Sequence, residues 1–184
     1  TYGFFLFLLL SCTFLCSCKN ENSDSFHFMA IGDLPYHLPD DFERFERMIQ
    51  QINDVNPAFT LHVGDIKSGK VPCSDEYYEK IKNYFNAFEK PLIYTPGDNE
   101  WTDCDRELCG SYDPEERLDK LRQLFFSDSI SQGKMPIILS RQNKFEGFEK
   151  FPENSTWIKS GITFGTLHVI GSNNNFDTGV EAIN

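Results

Sequence analysis

Basic residues are scarce in this chain relative to acidic ones. Lys and Arg together number 17 against 28 Asp and Glu, which gives a formal net charge of -11 at pH 7 over 184 residues. Nucleic-acid binding needs Lys and Arg clustered along one face, so this balance argues against a nucleic-acid partner. A small phosphorylated ligand is still compatible with it, because bound metal cations can reverse the local field.

Long apolar runs are lacking as well. The longest lies at residues 2–15, and it is shorter than the roughly 20 residues that a membrane-spanning helix needs. It is followed by small residues and then by a polar stretch, an order typical of a secretory signal. We therefore expect residues 1–18 to be a signal peptide and residues 19–25 a linker. Residues 26–184 would then form one folded domain.

The end of the apolar run, Leu15-Cys16-Ser17-Cys18, resembles the bacterial lipobox, in which the Cys is acylated and becomes the new N-terminus. Cys18 fits this motif best, and Cys12 is the second candidate. The resemblance implies an exported lipoprotein, periplasmic or on the cell surface, that is held on the membrane by its lipid.

Cysteines outside this leader are few, namely Cys73, Cys104 and Cys109. In an oxidising compartment we expect two of them to pair. Cys73 and Cys104 both fall in loops that follow predicted strands, which favours a bond between them, and Cys104 with Cys109 is the alternative. These loops supply too few Cys or His ligands for a zinc site.

The rest of the chain alternates between two kinds of apolar pattern. Short apolar runs predict strands at residues 26–31, 58–63 and 91–95, and each run leads into a Gly-Asp pair that ends in Asp33, Asp65 or Asp98. A spacing of three and four predicts helices over residues 39–55, 75–89 and 114–126, and a later strand is predicted over residues 162–170. This order predicts an α/β fold with a parallel sheet. The carboxyl ends of parallel strands meet at one edge, so the three carboxylates should gather there and require cations.

The three Gly-Asp segments resemble the motifs of the calcineurin-like metallophosphoesterase superfamily, which are Asp-x-His, Gly-Asp and Gly-Asn-His-Asp/Glu, each after a strand. The chain has Gly32-Asp33-Leu34-Pro35, Gly64-Asp65 and Gly97-Asp98-Asn99-Glu100 in the same order. The resemblance implies an αββα sandwich, here truncated at its C-terminus because the later His-bearing motifs would lie beyond Asn184. It also implies two divalent metal ions (Mn, Fe, Zn or Mg) as cofactors and a small phosphorylated substrate.

Carried over residue by residue, the resemblance gives each motif position a role. Asp33 would bind the first metal ion, Asp65 would bridge both, and Asp98 would bind the second. The catalytic candidates are Asn99 and Glu100, and the candidate substrate-binding residue is Lys67.

Two positions depart from the family pattern. Pro35 stands where the family has a His ligand, and Tyr36 or His37 could reach in instead. Asn99 replaces the His that protonates or positions the leaving group in many members. The remaining histidines are no substitutes, because His62 and His168 lie in the middle of predicted strands and are expected to be structural.

The sequence thus predicts a metal-dependent hydrolase of phosphate mono- or diesters, inactive without its distal ligands. The alternative is a non-catalytic surface lipoprotein of the same fold that binds metal or a phosphorylated ligand. Residues 64–70 also match the start of a nucleotide-binding P-loop, but Val71 replaces the Ser or Thr that would hold magnesium. Pro72 then delays the helix that should meet the phosphate.

Overall fold

The computed structural model of the protein describes residues 25–171. The proposed signal peptide, with Cys12 and Cys18, lies outside this range. Up to residue 125 the described chain contains β1 (Met29–Ile31), α1 (Asp40–Val55), β2 (Thr60–His62), α2 (Asp75–Phe85), β3 (Leu92–Tyr94) and α3 (Pro114–Phe125). Beyond that residue it contains the strands β4 (Ser140–Arg141), β5 (Ser155–Lys159) and β6 (Ile162–Thr166).

The first three strands form one parallel sheet in the order β1-β2-β3. Met29 pairs with Thr60, and Thr60 pairs with Leu92, so the strands run level with one another. The helices α1 and α2 make the two crossover connections. The mixed α/β class and the parallel sheet expected from the sequence are therefore confirmed.

Local sequence explains where the helices begin. Ser74 caps α2 by accepting a hydrogen bond from the Tyr77 N–H, and Asp113 caps α3 by accepting one from the Glu116 N–H. Such caps stabilise a helix by about 1 kcal/mol. α1 has three acidic residues in its first turn, where they complement the helix dipole. It ends at Val55, and the left-handed backbone of the next residue, Asn56, closes the last turn.

The helices cover one face of the parallel sheet. Strand alternation sends Leu92 and Tyr94 to this face and Ile93 to the other. The helix-side core is strongly aromatic, and burying each large side chain contributes about 1.5–3 kcal/mol. Its fully buried members include Phe45, Tyr78, Ile81, Phe85, Leu92 and Leu121.

The other face of the sheet packs on a second, antiparallel sheet in the order β4-β5-β6. Phe59, Ile93, Leu139 and Trp157 form the core between the two sheets. A two-residue turn, Ser160-Gly161, joins β5 to β6, and both residues have positive φ (48° and 77°), as a type I′ hairpin turn requires. The described chain thus has three layers: helices, parallel sheet and antiparallel sheet.

Several predicted elements were longer than the observed ones. The strands expected over residues 26–31, 58–63 and 91–95 are Met29–Ile31, Thr60–His62 and Leu92–Tyr94. The helix expected over residues 75–89 ends at Phe85, where the Asn86 N–H turns back to Lys82 and Tyr84. The strand expected over residues 162–170 ends at Thr166, because the His168 N–H donates to Asn154 Oδ1 (2.6 Å) rather than to a neighbouring strand. Between residues 25 and 171, no helix is long and apolar enough to cross a bilayer.

Candidate functional site

Asp33 and Asp65 follow β1 and β2 and adopt the same unusual backbone conformation. Their φ angles are 59° and 56°, in the left-handed region that non-glycine residues rarely enter and that Asn and Asp enter more readily than most. The Asp33 N–H donates to the Gly64 carbonyl (3.2 Å), which ties the two loops together. Both carboxylates therefore stand at one edge of the sheet, in strained backbone of a kind that clusters at functional sites.

Tyr36 lies between these two carboxylates. Its hydroxyl oxygen is 2.9 Å from Asp65 Oδ2 and 3.2 Å from Asp33 Oδ1. Asn99 Nδ2 donates to the same oxygen at 2.9 Å. Burial, followed by the hydrogen bond and charge of Asp65 and the charge of Asp33, raises the pKa of the phenol. These four residues form one polar cluster, which we call the rim cluster.

Glycine allows the loops after β2 and β3 to approach closely. A Cβ added at Gly97 would lie 2.1 Å from Asp65 Oδ1, and one at Gly64 would lie 2.3 Å from the Gly97 nitrogen. Any larger residue at either position would push the loops apart. Gly171 packs equally closely against the loop after β3, since a Cβ there would lie 2.6 Å from Asp98 Oδ2.

Asp98 is thereby brought against the rim cluster. Its carboxyl group faces that of Asp65 within hydrogen-bond distance. Burial is the main cause that raises the pKa of Asp65; Tyr36 and Asn99 lower it, and the Asp98 charge raises it again. Two carboxyl groups this close can share a proton, or a cation can separate their charges. All three Asp residues predicted from the sequence are thus gathered at one rim.

Glu100 lies beneath the rim and is fully buried. Its Oε1 accepts hydrogen bonds from the Gly97 N–H (2.7 Å), the Tyr94 hydroxyl (2.8 Å) and the Asp65 N–H (3.1 Å). Burial raises the pKa of Glu100 to about 7, and the charge of Asp65 adds to this rise. Glu100 therefore joins the loops after β2 and β3 and acts as a positioning residue rather than as a group that meets substrate.

Lys67 does not point to the rim. Its side chain is fully buried, with Nζ 3.2 Å from the Ser68 carbonyl and 3.8 Å from Cys109 Sγ. Burial lowers the pKa of this ammonium group. Such a position argues against the substrate contact expected from the sequence.

A disulfide bond joins Cys73 to Cys104, with the Cα atoms 5.8 Å apart. This is the pairing that the sequence favoured. Cys109 is a free, buried cysteine, and its carbonyl accepts the Cys73 N–H (2.9 Å). The disulfide fixes the chain just before α2 to the turn that follows Glu100, below the rim.

Two histidines are held in structural contacts. His62 is fully buried, its Nδ1 accepts the Gly64 N–H (3.3 Å), and burial lowers its pKa to about 3. His168 Nδ1 lies 3.1 Å from Glu153 Oε1, and its Nε2 accepts the Trp101 indole N–H (3.1 Å). We call Trp101, His168 and Glu153 the indole clamp. Nothing in the sequence pattern indicated it, because its members lie far apart in the chain.

An open cleft of about 440 Å³ borders Asp33 and Asp65. Thr95 and Pro96 line one side of it, and residues 165–167 and 169–171 line another. This volume falls within the range of small-molecule sites. The cleft gives a small ligand access to two of the three rim carboxylates.

The oxygen donors at the rim are of the kind that Mg²⁺, Mn²⁺ and iron bind. Over residues 25–171, no group of three or more His, Cys, Asp and Glu side chains is arranged to hold a metal ion. Between Asp33 and Asp65 the third oxygen belongs to Tyr36. The donor chemistry therefore fits a hard cation, with a phenol in the set.

Fold and site together define an α/β domain with an acidic rim at the carboxyl edge of its parallel sheet. Comparison of the chain with protein families, with curated proteins and with solved structures gives no match.

Proposed function

We propose that the protein is a metal-dependent phosphoesterase of the calcineurin-like type, which hydrolyses phosphate mono- or diesters. The observation that carries this proposal is the linking of the Asp33 and Asp65 carboxyl groups through the Tyr36 hydroxyl at the carboxyl end of a parallel sheet, with Asp98 close enough to act on the charge of Asp65. Such a concentration of negative charge is unfavourable on its own and is offset by divalent cations.

In this proposal Asp33 and Asp98 would each hold one of two divalent cations, and Asp65 would contribute to holding both. When bound, two such cations supply positive charge to the phosphate and lower the pKa of a water molecule. Glu100 lies beneath the rim and holds the loops of Asp65 and Asp98 together by accepting hydrogen bonds from the backbone of both. The cleft beside Asp33 and Asp65 admits the ester and limits its size.

Asn99 would contribute a hydrogen bond rather than a proton. Its amide nitrogen donates one hydrogen to the Tyr36 oxygen, and its second hydrogen would donate to a phosphate oxygen beside it. An amide does not act as a general acid near neutral pH. The chemistry therefore favours esters whose leaving oxygen needs little protonation.

A second candidate function is a surface protein of the same fold that binds metal or a phosphorylated ligand without turning it over. Pro35 and Asn99 favour it, because neither residue can replace the imidazole that the related motifs carry.

We also propose that the protein is exported and anchored on the membrane by a lipid at Cys18, in the periplasm or on the cell surface. The Cys73–Cys104 disulfide supports this, because such bonds persist in oxidising compartments.

The full-length gene product tests these proposals. Calorimetric titration with Mn²⁺, Mg²⁺ and Zn²⁺ would measure the number of cations bound, and p-nitrophenyl phosphate and bis(p-nitrophenyl) phosphate would measure mono- and diesterase activity. Two bound cations with metal-dependent turnover are expected. Binding without turnover would favour the second candidate function. A protein that binds no cation would refute the phosphoesterase and the metal-binding form of the second candidate.

A further inference from the structure

The space left by the missing imidazole at position 35 is filled by the next side chain. Pro35 is buried and has no donor atom. The Tyr36 hydroxyl instead reaches the point where Asp33 and Asp65 face each other. His37, the other residue that the sequence offered, is exposed and contributes its backbone N–H to Asp41 (2.6 Å).

The position of Tyr36 is fixed from two sides. Its backbone N–H donates to Asp41 Oδ2 (2.9 Å), and Asp41 is a buried residue in the first turn of α1. Its hydroxyl oxygen accepts from Asn99 Nδ2 (2.9 Å), across a sequence separation of 63 residues. The phenol is therefore held in place by α1 below and by the loop after β3 above.

The two oxygen–oxygen distances to Tyr36 match the spacing of neighbouring ligands around a small cation. Neighbouring oxygen ligands on an octahedral cation with bonds of about 2.1 Å lie about 3.0 Å apart. The Tyr36 oxygen is 2.9 Å and 3.2 Å from one oxygen of Asp65 and one of Asp33. A cation bound by all three oxygens would displace the hydroxyl hydrogen that Tyr36 now shares with the carboxylates.

We infer that Tyr36 is a metal ligand, supplying the third oxygen of the cation site formed with Asp33 and Asp65. Asn99 is then a positioning residue, which holds the phenol oxygen toward the two carboxylates. This inference rests on the proposed function, because it concerns the same rim. It gives the site a phenolate ligand in place of an imidazole, and so a preference for hard cations such as Fe³⁺ and Mn²⁺.

Ferric iron provides a direct test, because a phenolate bound to Fe³⁺ gives a visible charge-transfer absorption that carboxylates do not. The full-length protein would be compared with Tyr36→Phe and with the control Tyr84→Phe. Tyr84 bonds Glu46 (3.0 Å) on the helix layer and takes no part in the rim cluster. Mn²⁺ titration of the same proteins would report affinity independently of colour and of activity.

We expect the wild type and Tyr84→Phe to be coloured when loaded with Fe³⁺ and Tyr36→Phe to be colourless. Tyr36→Phe should also bind Mn²⁺ at least about tenfold more weakly at one site, with the other site unchanged. Tyr36→His covers the case in which the Phe variant fails to fold. It should recover Mn²⁺ binding without recovering the colour.

Two results would overturn the inference. A wild-type protein that binds two Mn²⁺ ions but shows no ferric absorption, with Tyr36→Phe binding equally well, would remove Tyr36 from the site and leave the proposed function standing. A wild-type protein that binds no cation at all would remove both.

Discussion

Asp65 is the residue on which the rim cluster converges. Tyr36 donates to one of its carboxylate oxygens (2.9 Å), the Asn99 N–H approaches the other (3.4 Å), and Asp98 faces it. Its backbone N–H is held in turn by Glu100 (3.1 Å). The negative charge of Asp65 therefore has a fixed position and is only partly compensated without a cation.

Substituting Asp65 should separate metal binding from stability. Asp65→Asn keeps the shape but removes the charge, so the full-length protein should lose most of its metal occupancy and nearly all of any turnover. A raised carboxyl pKa means that the charged form destabilises the metal-free fold at neutral pH. The free energy of unfolding without metal should therefore stay level or rise slightly. Calorimetric metal titration and chemical unfolding measure the two effects.

Asp33→Asn and Asp98→Asn serve as comparisons for that experiment. Each should weaken mainly one cation site, and Asp98→Asn should be the milder change because it introduces the residue that the related motif has. If Asp65→Asn bound metal with wild-type affinity and stoichiometry, the phosphoesterase proposal would fail.

His62 should make the fold sensitive to acid. Its pKa falls from 6.5 in the unfolded chain to about 3 in the folded one because the ring is fully buried. The unfolded chain therefore binds the extra proton first, and stability is lost as the pH drops from 6.5 toward 3. The loss amounts to at most about 5 kcal/mol.

Urea unfolding between pH 7 and pH 4, in wild type and His62→Gln, would measure this effect. The variant should lose less stability over that range, although it starts from a lower value. If the free energy of unfolding fell equally with pH in the two proteins, the buried imidazole would not be the acid-sensitive group.

For single residues, the sequence predicted where along the fold a side chain lies better than it predicted whether that side chain is buried. The three aspartates at the rim follow from strand ends and glycines, which are local features. The burial of Lys67 and the position of Glu100 beneath the rim do not. Lys67 is covered because Cys109 folds back on it across 42 residues. A long-range contact of this kind leaves no trace in the local pattern.

The helix α2 and the loops around it form a unit closed by the Cys73–Cys104 disulfide. The two cysteines are 31 residues apart in sequence, and both are fully buried. The enclosed segment contains α2, β3 and the loop with Asp98. The disulfide bond therefore restrains the loop that carries Asp98, on the side of that loop away from the rim.

Removing this crosslink should weaken the fold. Replacing both Cys73 and Cys104 by Ala should reduce the free energy of unfolding by about 2–4 kcal/mol, because the unfolded chain regains the freedom of the closed loop. Cys109→Ala is the matched control, since it leaves the bond intact. Urea unfolding gives the energies, and non-reducing peptide mapping gives the pairing. A Cys104–Cys109 link or three free thiols would contradict the structure.

The sequence predicted the parallel sheet and its helices but not the whole second sheet. Strands β1 to β3 and the helices between them carry clear periodic patterns. The strand β4 has only two residues, and its pairing of Ser140 with Thr156 depends on contacts across a long loop. Register of this kind is set by packing on the first sheet, through Phe59 and Trp157 (ring centroids 5.4 Å apart).

At the scale of the whole molecule, the proposed lipid at Cys18 would limit how far the rim can lie from the membrane. Between Cys18 and the start of the described domain at Ser25 the chain has few residues, which span at most about 25 Å. A lipid at Cys18 would therefore hold the domain, and any substrate it processes, close to the membrane surface.

Labelling with a fatty acid tests this anchor. When the full-length gene is expressed in a bacterial host, the protein should fractionate with membranes and carry the label, and Cys18→Ser should abolish both. The comparison variant is Cys12→Ser, which should keep the label. If the label persisted in Cys18→Ser and disappeared in Cys12→Ser, acylation would occur at the earlier motif.

The indole clamp has a consequence for the order in which the protein assembles. Trp101 follows the loop of Asp98, and its bond to His168 spans 67 residues. His168 belongs to the segment that walls the cleft and follows the second sheet. Closing so long a segment costs entropy before the contact stabilises the fold, so we expect this contact to form after the more local ones. The cleft should therefore be completed only after the hairpin of β5 and β6 has docked.

The two tryptophans of the chain would report these events separately. Trp157 lies in the core between the sheets, and Trp101 lies in the clamp. In stopped-flow refolding, a Trp101→Phe protein should show the docking of the hairpin, and a Trp157→Phe protein should show the later closure of the cleft. Mn²⁺ uptake by the full-length protein should follow the slower signal, so that the protein acquires its metal only once it is folded.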